Sequence, residues 1–299
     1  MFKHILVPLD GSRMAESAVQ AAAYLAEMLN ARVTLMHVVE KNAPSEVHGQ
    51  PHLISAQEAG FYLDGISRRY FPQGIPVECH VHAAEVENVA RSIVEHADEL
   101  GHDLVVMCSH GRGMALHLFL GSIAQKVIAG DSRPVLITHP DEEGNPREFM
   151  CRNILVPLDG DPQHAQALTP SKELARACNA SLHLAMVIPR NLSGNMTVTG
   201  RLLPGATSLM LDMALQDAEA YSAGLLTDLH DQGFAASAHV LRGDPAKIIV
   251  EAASLAAIDL IVLATHGKTG MEAFWAGSVT NKICSRSKVP LLLVPVRQQ

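Results

Sequence analysis

Two nearly identical stretches, one near the start of the chain and one just past its middle, decide the fold. Residues 3–11 read KHILVPLDG and residues 152–160 read RNILVPLDG. A second pair follows in the same order, with DLVVMCSHG at residues 103–111 and DLIVLATHG at residues 259–267. Because self-similarity at a wide separation is typical of a repeated structural unit, the sequence predicts an internal duplication.

Outward from the first stretch, short apolar runs alternate with segments that carry apolar residues at helical spacing. This pattern predicts βαβ units, with strands at residues 5–9, 33–39, 76–82, 104–108 and 134–138 and helices at 15–29, 56–70, 85–100 and 122–129. Because crossovers between parallel strands are right-handed, each half is expected to be an α/β domain with an open, doubly wound, five-stranded parallel sheet of Rossmann-like type. We therefore expect domains at residues 1–140 and 151–299, joined by a polar linker at 141–150.

The composition suits two globular domains and excludes several classes of partner. The chain has 299 residues, of which 48% are hydrophobic and 18% charged, and its net charge is −8. An acidic chain without clustered Lys and Arg lacks the attraction that drives binding to nucleic acid or anionic lipid. No apolar run approaches the roughly 18 residues that cross a bilayer, and the start of the chain has no signal-peptide pattern. We expect a cytoplasmic protein with neither nucleic acid nor a membrane as partner.

The cysteine and histidine residues offer weaker candidates for chemistry. The five cysteines are widely separated and never occur as CxxC, which predicts free thiols rather than a disulfide framework. Cys108, at the end of a predicted strand, is either an oxidant-sensitive thiol or an ordinary buried one. His80 and His82 share a face of one predicted strand, but a zinc site needs three or four ligands. No catalytic or metal-binding residue is therefore predicted.

Two loops in each half are candidates for a binding site, because ligands of open α/β sheets bind beyond the carboxyl ends of the strands. The first loop places Asp10 or Asp159 directly after a strand, where a carboxylate can accept a hydrogen bond from a ribose hydroxyl. The alternative is a plain strand-to-helix turn. The second loop ends in Gly-Ser before a helix, at residues 121–122 and 277–278. Glycine amides and a helix N-terminus hold phosphate well, although an ordinary serine N-cap would use the same residues.

The glycine spacing resembles the nucleotide signature of the universal stress protein family. Gly111 is followed by nine residues and then by Gly121 and Ser122, and the second half repeats this spacing from Gly267 to Gly277. With the VPLDG start of each half, the resemblance covers nearly the whole chain as two tandem copies. It implies binding of ATP, AMP or ADP, with or without Mg²⁺, a role in stress tolerance, and a homodimer formed through the last strand.

The resemblance also implies which residues contact the nucleotide. Asp10 and Asp159 would face the adenosine, and Val38 and Val187 would line the adenine pocket. The glycines and serines would hold the phosphates, with added charge from Arg112 and Lys268. The implied set is Pro8, Asp10, Val38, Met107, Gly111, Arg112, Gly121 and Ser122 in the first half and Pro157, Asp159, Val187, Leu263, Gly267, Lys268, Gly277, Ser278 and Val279 in the second.

The family signature has one more glycine, three positions before Gly111 and Gly267, and each half lacks it. Cys108 and Ala264 stand at that position, so a Cβ atom lies where the backbone should approach the nucleotide most closely. The second half also has Asp161 in place of Ser12, and its charge repels phosphate unless it caps the helix. Since Ala264 is the smaller intrusion, we expect the second site to bind slightly better than the first.

The sequence favours a nucleotide-dependent stress-response module over a dedicated enzyme, because no catalytic triad, paired carboxylates or Walker element stands out. Two alternatives remain: a slow ATPase or phosphotransferase that uses the same site, and a structural dimer that binds no nucleotide. The final strands of the two halves, at residues 134–138 and 290–296, are apolar and would leave exposed edges if unpaired. We expect them to pair with each other within the chain.

Overall fold

The computed structural model describes residues 2–42, 46–47, 50–51, 53–109, 120–189, 204–266 and 278–296. The first half contains β1 (His4–Pro8), α1 (Ser17–Leu29), β2 (Arg32–Glu40), α2 (Ala56–Tyr70), β3 (Val77–Val86), α3 (Val89–Glu99), β4 (Leu104–Cys108), α4 (Ser122–Gly130) and β5 (Val135–Thr138). The second half contains β6 (Asn153–Leu158), a 3-10 helix (His164–Ala167), α5 (Leu168–Cys178), β7 (Ser181–Ile188), α6 (Pro204–Asp231), β8 (Ala236–Arg242), α7 (Pro245–Leu255), β9 (Leu260–His266), α8 (Val279–Cys284) and β10 (Leu291–Val296). Both halves repeat the predicted alternation, and a small hairpin of Glu46–Val47 with Gln50–Pro51 follows β2.

Among the described residues, ten strands form one sheet in the order β8-β7-β6-β9-β10-β5-β4-β1-β2-β3. Within each half the strands are parallel, which confirms the doubly wound fold. The two halves meet where β10 runs antiparallel to β5, with Leu292 paired to Leu136. The predicted pairing of the final strands within the chain is therefore confirmed. In the first half the winding direction reverses between β1 and β4, and this position is where ligands of such sheets bind.

Helices cover both faces of the sheet and bury its apolar side chains. One face packs against α1, α2, α5 and α6, and the other packs against α3, α4, α7 and α8. The central strands are buried on both sides, as parallel strands between two helical layers must be. None of the helices in the described part of the chain combines the length and the apolar character needed to span a membrane.

The second repeated motif is explained by an aspartate that joins two strands at their amino ends. Asp103, just before β4, accepts hydrogen bonds from the backbone amides of Lys3 at 2.7 Å and His4 at 3.0 Å. Asp259, just before β9, accepts from Arg152 at 2.8 Å and Asn153 at 2.9 Å in the same way. Each carboxylate accepts hydrogen bonds from amides at the start of a central strand. Without it, these amides at the amino end of the strand would have no partner.

The predicted start of the third helix at residue 85 is wrong. β3 continues to Val86, which pairs with Glu40 of β2 and accepts a hydrogen bond from the Lys41 amide at 3.0 Å. The helix begins at Val89, after Asn88, whose side chain accepts from the Arg91 amide at 3.1 Å. Pairing along β2 therefore outweighs the helical spacing of these residues, and the asparagine N-cap sets the boundary.

The segment between the halves is a polar turn with an apolar anchor. The Asp141 carboxylate accepts from the backbone amides of Glu143 at 2.9 Å and Asn145 at 2.7 Å. Phe149 is 6% exposed, and its ring meets that of Tyr24 edge-on at 5.5 Å. The end of the predicted linker is thus packed on α1 of the first half.

The contact between β5 and β10 should contribute strongly to the stability of the fold. Leu136 and Leu292 are 1% and 2% exposed, so Leu136→Ala leaves a cavity at the centre of the β5–β10 contact. We expect it to lower the free energy of unfolding by about 2–5 kcal/mol, measured by urea unfolding followed by circular dichroism. As a control, Leu255→Ala at an 89% exposed position should change it by less than about 0.5 kcal/mol. Equal effects of the two substitutions would contradict a buried junction.

Two histidine rings stack at the amino ends of the strands β1 and β4 in the first half. The rings of His4 and His102 are 3.8 Å apart at a tilt of 35°, and His4 Nε2 lies 2.9 Å from Thr34 Oγ1. His102 is 4% exposed. Burial lowers the pKa of His102 to about 3, helped by the nearby His4 and Arg133. Folding therefore keeps this imidazole neutral.

This stack predicts a loss of stability in acid. The pKa of His102 in the folded protein lies below the usual value of 6.5, so the unfolded chain binds a proton first as the pH falls through that value. The free energy of unfolding should fall between pH 6.5 and about 3 by up to about 1.4 kcal/mol per pH unit from this residue. Urea unfolding at a series of pH values should show a smaller slope for His102→Phe than for the natural chain. Identical slopes would rule out this origin.

Candidate functional site

A cavity of about 290 Å³ opens in the first half beyond the carboxyl ends of β1, β2 and β4. Its size is at the lower end of the roughly 300–1,000 Å³ typical of small-molecule pockets. It lies at the point where the winding of the sheet reverses, where the fold predicts a ligand. The predicted residues that line it are Pro8, Asp10, Val38, Met107, Gly121 and Ser122.

The walls of the cavity are mainly apolar. Val38 is 7% exposed and Met107 is 6% exposed, and Met36 and Ile93 pack beside them. Cys108, the residue in place of the signature glycine, also lines the cavity and is 8% exposed. The cavity therefore remains open with the cysteine side chain in its wall.

A carboxylate is held at the end of β1 by a tight turn. Gly11 has a positive φ of +84°, and residues other than glycine rarely adopt this backbone conformation. Asp10 Oδ1 accepts hydrogen bonds from the Ser12 amide at 2.9 Å and from Ser12 Oγ at 2.6 Å. Ser12 Oγ in turn accepts from the Ala15 amide at 3.2 Å. The serine thus helps to cap the turn before α1, while the aspartate lines the cavity.

The N-terminus of α4 forms another side of the cavity. Gly121 is the N-cap residue of α4, and as a glycine it offers no side-chain acceptor to the first amides of the helix. Ser122, Ile123 and Ala124 of the first turn line the cavity. The first amides of a helix have no intrahelical acceptor, and the helix dipole is positive there. This end of α4 can therefore stabilise an anion.

Ser109 fixes the position of that helix end. Its carbonyl accepts from the Gly121 amide at 2.7 Å, and its own amide donates to the Thr138 carbonyl at 2.8 Å. Its hydroxyl lies 3.0 Å from His139 Nδ1. The start of α4 is thus connected through one residue to the end of β5 and to the junction between the halves.

Five of the predicted residues, Gly111, Arg112, Gly267, Lys268 and Gly277, lie outside the described residues. Of the residues predicted to contact phosphate, the structure describes Gly121 and Ser122 at the start of α4 and Ser278 at the start of α8.

The second half places the same types of residue differently. Asp159 Oδ1 accepts from the Asp161 amide at 3.0 Å, and Asp159 Oδ2 lies 2.7 Å from His164 Nδ1. Asp161 Oδ1 accepts from the Gln163 amide at 2.8 Å, which is a local capping interaction. Pro157 and Val187 are partly buried, and Leu263 is 5% exposed.

The helix that follows the second glycine loop also begins differently. Ser278 is the N-cap of α8, and its hydroxyl accepts from the Asn281 amide at 3.1 Å. Val279 is the first residue of this six-residue helix and is 41% exposed. The equivalent of Ser278 in the first half, Ser122, lies inside its helix and lines the cavity instead. In the second half the serine therefore has the alternative role that the sequence left open.

Sequence reasoning missed several residues of the cavity, among them the polar residues His37 and Glu40. His37 is 2% exposed, and its Nδ1–H donates to the Leu9 carbonyl at 2.8 Å, which ties β2 to the end of β1. Glu40 lies two positions after Val38, and residues two apart on a strand share a face. That alternation was the available signal for Glu40.

The paired histidines on β3 gain a third neighbour that the sequence did not indicate. His82 Nδ1 lies 3.2 Å from His96 Nε2 of α3, and the His80 ring centre lies 5.0 Å from that of His96. Burial lowers the pKa of His80, with His96 as the next contributor. Across the described ranges, no group of three or more His, Cys, Asp or Glu residues is arranged to hold a metal ion.

Comparison with known proteins identifies the family. A model of the universal stress protein family matches the chain twice, at residues 1–139 and 150–295. A universal stress protein of Mycobacterium tuberculosis is 25% identical over 309 aligned positions, which cover 97% of this chain and 96% of the relative. One from Synechocystis is 34% identical over 138 residues, which cover 46% of this chain and 85% of the relative.

A solved structure agrees on the arrangement of the whole chain. The crystal structure of a protein from Pseudomonas aeruginosa, described as a universal stress protein, superimposes with a TM-score of 0.67 at 17% identity. The match covers 99% of this chain and 94% of that one, and it supports the fold. The chain belongs to the universal stress protein family and carries two copies of the family's domain in tandem.

Proposed function

We propose that the first half, residues 1–140, binds one adenine nucleotide in the cavity beyond β1, β2 and β4, and that the protein acts as a nucleotide-dependent stress-response module. The observation that carries the proposal is the combination of three surfaces in one cavity. An apolar wall, a carboxylate and a helix N-terminus surround the same space. These match a base, a ribose and a phosphate, respectively.

The base is proposed to lie against Val38 and Met107. Both side chains are almost fully buried, so the wall they form is apolar and already shaped. A flat purine gains from leaving water for such a wall, because burial of apolar surface contributes about 25 cal/mol per Å². Glu40, at the edge of the same wall, is an acceptor within the cavity for an amino group such as that of adenine.

The ribose is proposed to face Asp10. A ribose hydroxyl donates to a carboxylate in other doubly wound nucleotide-binding folds, and hydrogen bonds to a charged acceptor are stronger than neutral ones. The two hydrogen bonds from Ser12 hold Asp10 in place before any ligand arrives. Such an arrangement lowers the ordering cost of binding.

The phosphates are proposed to lie at the start of α4. Its N-cap is a glycine, so a phosphate can approach the amides of Ser122 and Ile123 without a Cβ in the way. Asp10 and Glu40 place negative charge in the same cavity, which favours a nucleotide with few phosphates or one accompanied by Mg²⁺. AMP, ADP and ATP are therefore the ligands to compare.

The described geometry favours the first half over the second, although the sequence ranked the second slightly higher. In the second half, His164 Nδ1 lies 2.7 Å from Asp159 Oδ2, so a ribose would share that carboxylate with an imidazole. The Ser278 hydroxyl is also engaged, as the cap of α8. In the first half, the Cys108 side chain is accommodated in the wall.

A homodimer through the last strand, as the resemblance implies, would need a different arrangement in this chain. β10 is paired on one side with β9 and on the other with β5. Any association of two chains is therefore proposed to use another surface.

The matched aspartates provide the test. Asp10→Asn keeps an oxygen that can accept from Ser12 but removes the charge, so we expect the Kd for AMP or ATP to rise about tenfold or more. Asp159→Asn, the equivalent change in the second half, should leave the Kd and a stoichiometry of one nucleotide per chain unchanged. Isothermal titration calorimetry measures both values, and thermal melting confirms that each variant is folded.

Other outcomes would assign other functions. Loss of binding with Asp159→Asn alone would place the nucleotide in the second half and contradict the proposal. An absence of heat with every adenine nucleotide would favour a structural protein without ligand. Single-turnover assays with labelled ATP separate binding from catalysis, and hydrolysis that is lost in both Ser122→Ala and Ser278→Ala would favour a slow ATPase.

A further inference from the structure

A second cavity, of about 250 Å³, lies where the two halves meet the segment between them. The first half contributes Ser17 of α1 and the end of β5, the connecting segment contributes residues 147–150, and the second half contributes Asp259 and residues 288–290. Because β10 runs antiparallel to β5, the end of β5 and the start of β10 lie at the same end of the sheet. We call this space the junction cavity. Among the described residues, its lining shares none with that of the proposed nucleotide cavity.

A buried hydroxyl in the wall of the junction cavity has no hydrogen bond within the described part of the chain. Ser17 is 3% exposed, and its Oγ atom finds no partner there. By contrast, the buried Ser171 of α5 donates to the Ala167 carbonyl at 2.7 Å. A buried polar group without a partner costs stability. Since a serine hydroxyl turns about a single torsion, a polar ligand in the cavity could receive this hydrogen bond.

The charged side chains around the junction cavity are of both signs. Arg147 and Lys288 are positive, and Glu148 and Asp259 are negative. These four described residues form no ion pair with one another, and Lys288 Nζ instead lies 2.9 Å from Glu142 Oε1. A simple anion would meet two carboxylates here, and a simple cation would meet two basic groups. A ligand that carries both charges avoids either conflict.

Asp259 keeps one carboxylate oxygen available for a ligand. Its Oδ2 atom accepts both amide hydrogen bonds, from Arg152 at 2.8 Å and from Asn153 at 2.9 Å. Its counterpart in the first half, Asp103, uses both oxygens for the equivalent amides. Because each carboxylate oxygen can accept hydrogen bonds, Asp259 Oδ1 can bind an ammonium group while Oδ2 still holds the start of β6.

The rest of the wall is apolar. Phe149 and Ile258 are each 6% exposed, and Val289 and Pro290 adjoin them in the lining. An aliphatic group gains free energy when it leaves water for such a wall. The junction cavity therefore combines a hydroxyl donor, charges of both signs and an apolar surface.

We propose that the junction cavity binds a free α-amino acid with an aliphatic side chain. The carboxylate of the ligand accepts from the Ser17 hydroxyl and faces Arg147. Its ammonium group donates to Asp259 Oδ1, and its side chain covers Ile258. Because the lining comes from both halves, a bound amino acid holds them together and stabilises the folded chain as its concentration rises.

Isothermal titration calorimetry of the full-length protein with L-valine and L-leucine tests the proposal. We expect at least one of them to bind at one molecule per chain and to raise the melting temperature. Isovalerate and isocaproate lack only the ammonium group of these ligands, and isobutylamine and isoamylamine lack only the carboxylate. Each should bind at least about tenfold more weakly than its parent, since a charged group of the cavity loses its partner.

Ser17→Ala separates a ligand contact from a structural role. The natural hydroxyl has no partner in the described chain, so its removal should leave the melting temperature without ligand unchanged or higher. The Kd for the amino acid should nevertheless rise several-fold. Ser171→Ala is the matched control, because it removes a buried hydroxyl that already has a partner. It should lower the melting temperature and leave the Kd unchanged.

Arg147→Gln tests the charge that faces the carboxylate. We expect the Kd to rise about tenfold or more, because a hydrogen bond to a charged group is lost. Arg68→Gln, at an exposed position of α2 outside both cavities, should leave it unchanged.

Three results would overturn the proposal. The first is no heat and no shift in melting temperature with either amino acid at millimolar concentration. The second is binding of the acids or the amines as tight as that of their parents. The third is a natural Kd in both Ser17→Ala and Arg147→Gln. None of these measurements uses a nucleotide, so their outcome is independent of the proposed function.

Discussion

The antiparallel pairing of β5 with β10 is the constraint on which the rest of the structure depends. Each half alone would end in a short apolar strand with unpaired backbone groups along one edge. Pairing Leu136 with Leu292 and Ile137 with Leu291 satisfies those groups and produces one sheet of ten strands. Duplication thus supplies within one chain what a single copy would need a second chain to provide.

The direction of that pairing places the two sites apart. The strands of one half run antiparallel to those of the other. The carboxyl ends of the strands in the two halves therefore lie at opposite ends of the strands in the sheet. The described residues that line the proposed nucleotide cavity all belong to the first half. The two copies of the VPLDG loop differ in this respect, since Asp10 bonds to Ser12 and Asp159 bonds to His164.

The junction also connects chemistry that the linear order separates. Ser109 contacts both the start of α4, at the cavity, and His139, just past β5. The Tyr24 ring of α1 packs edge-on against Phe149, which leads into the second half. The amino end of β6 lies at the same edge of the sheet as the carboxyl ends of the first half, because the two halves are antiparallel. The start of the second half and the proposed nucleotide cavity therefore lie at the same end of the strands.

The sequence by itself determined the duplication, the alternation of strands and helices, and the loops in which a ligand could bind. These features depend on local pattern, since apolar periodicity and the VPLDG and Gly-Ser turns act over a few residues. Only the tertiary structure decided that His96 of α3 meets His82 of β3, and that Ser109 links the start of α4 to the end of β5. These contacts form between elements brought together by packing, and the spacing of residues along the chain carries no information on which side chains meet across it.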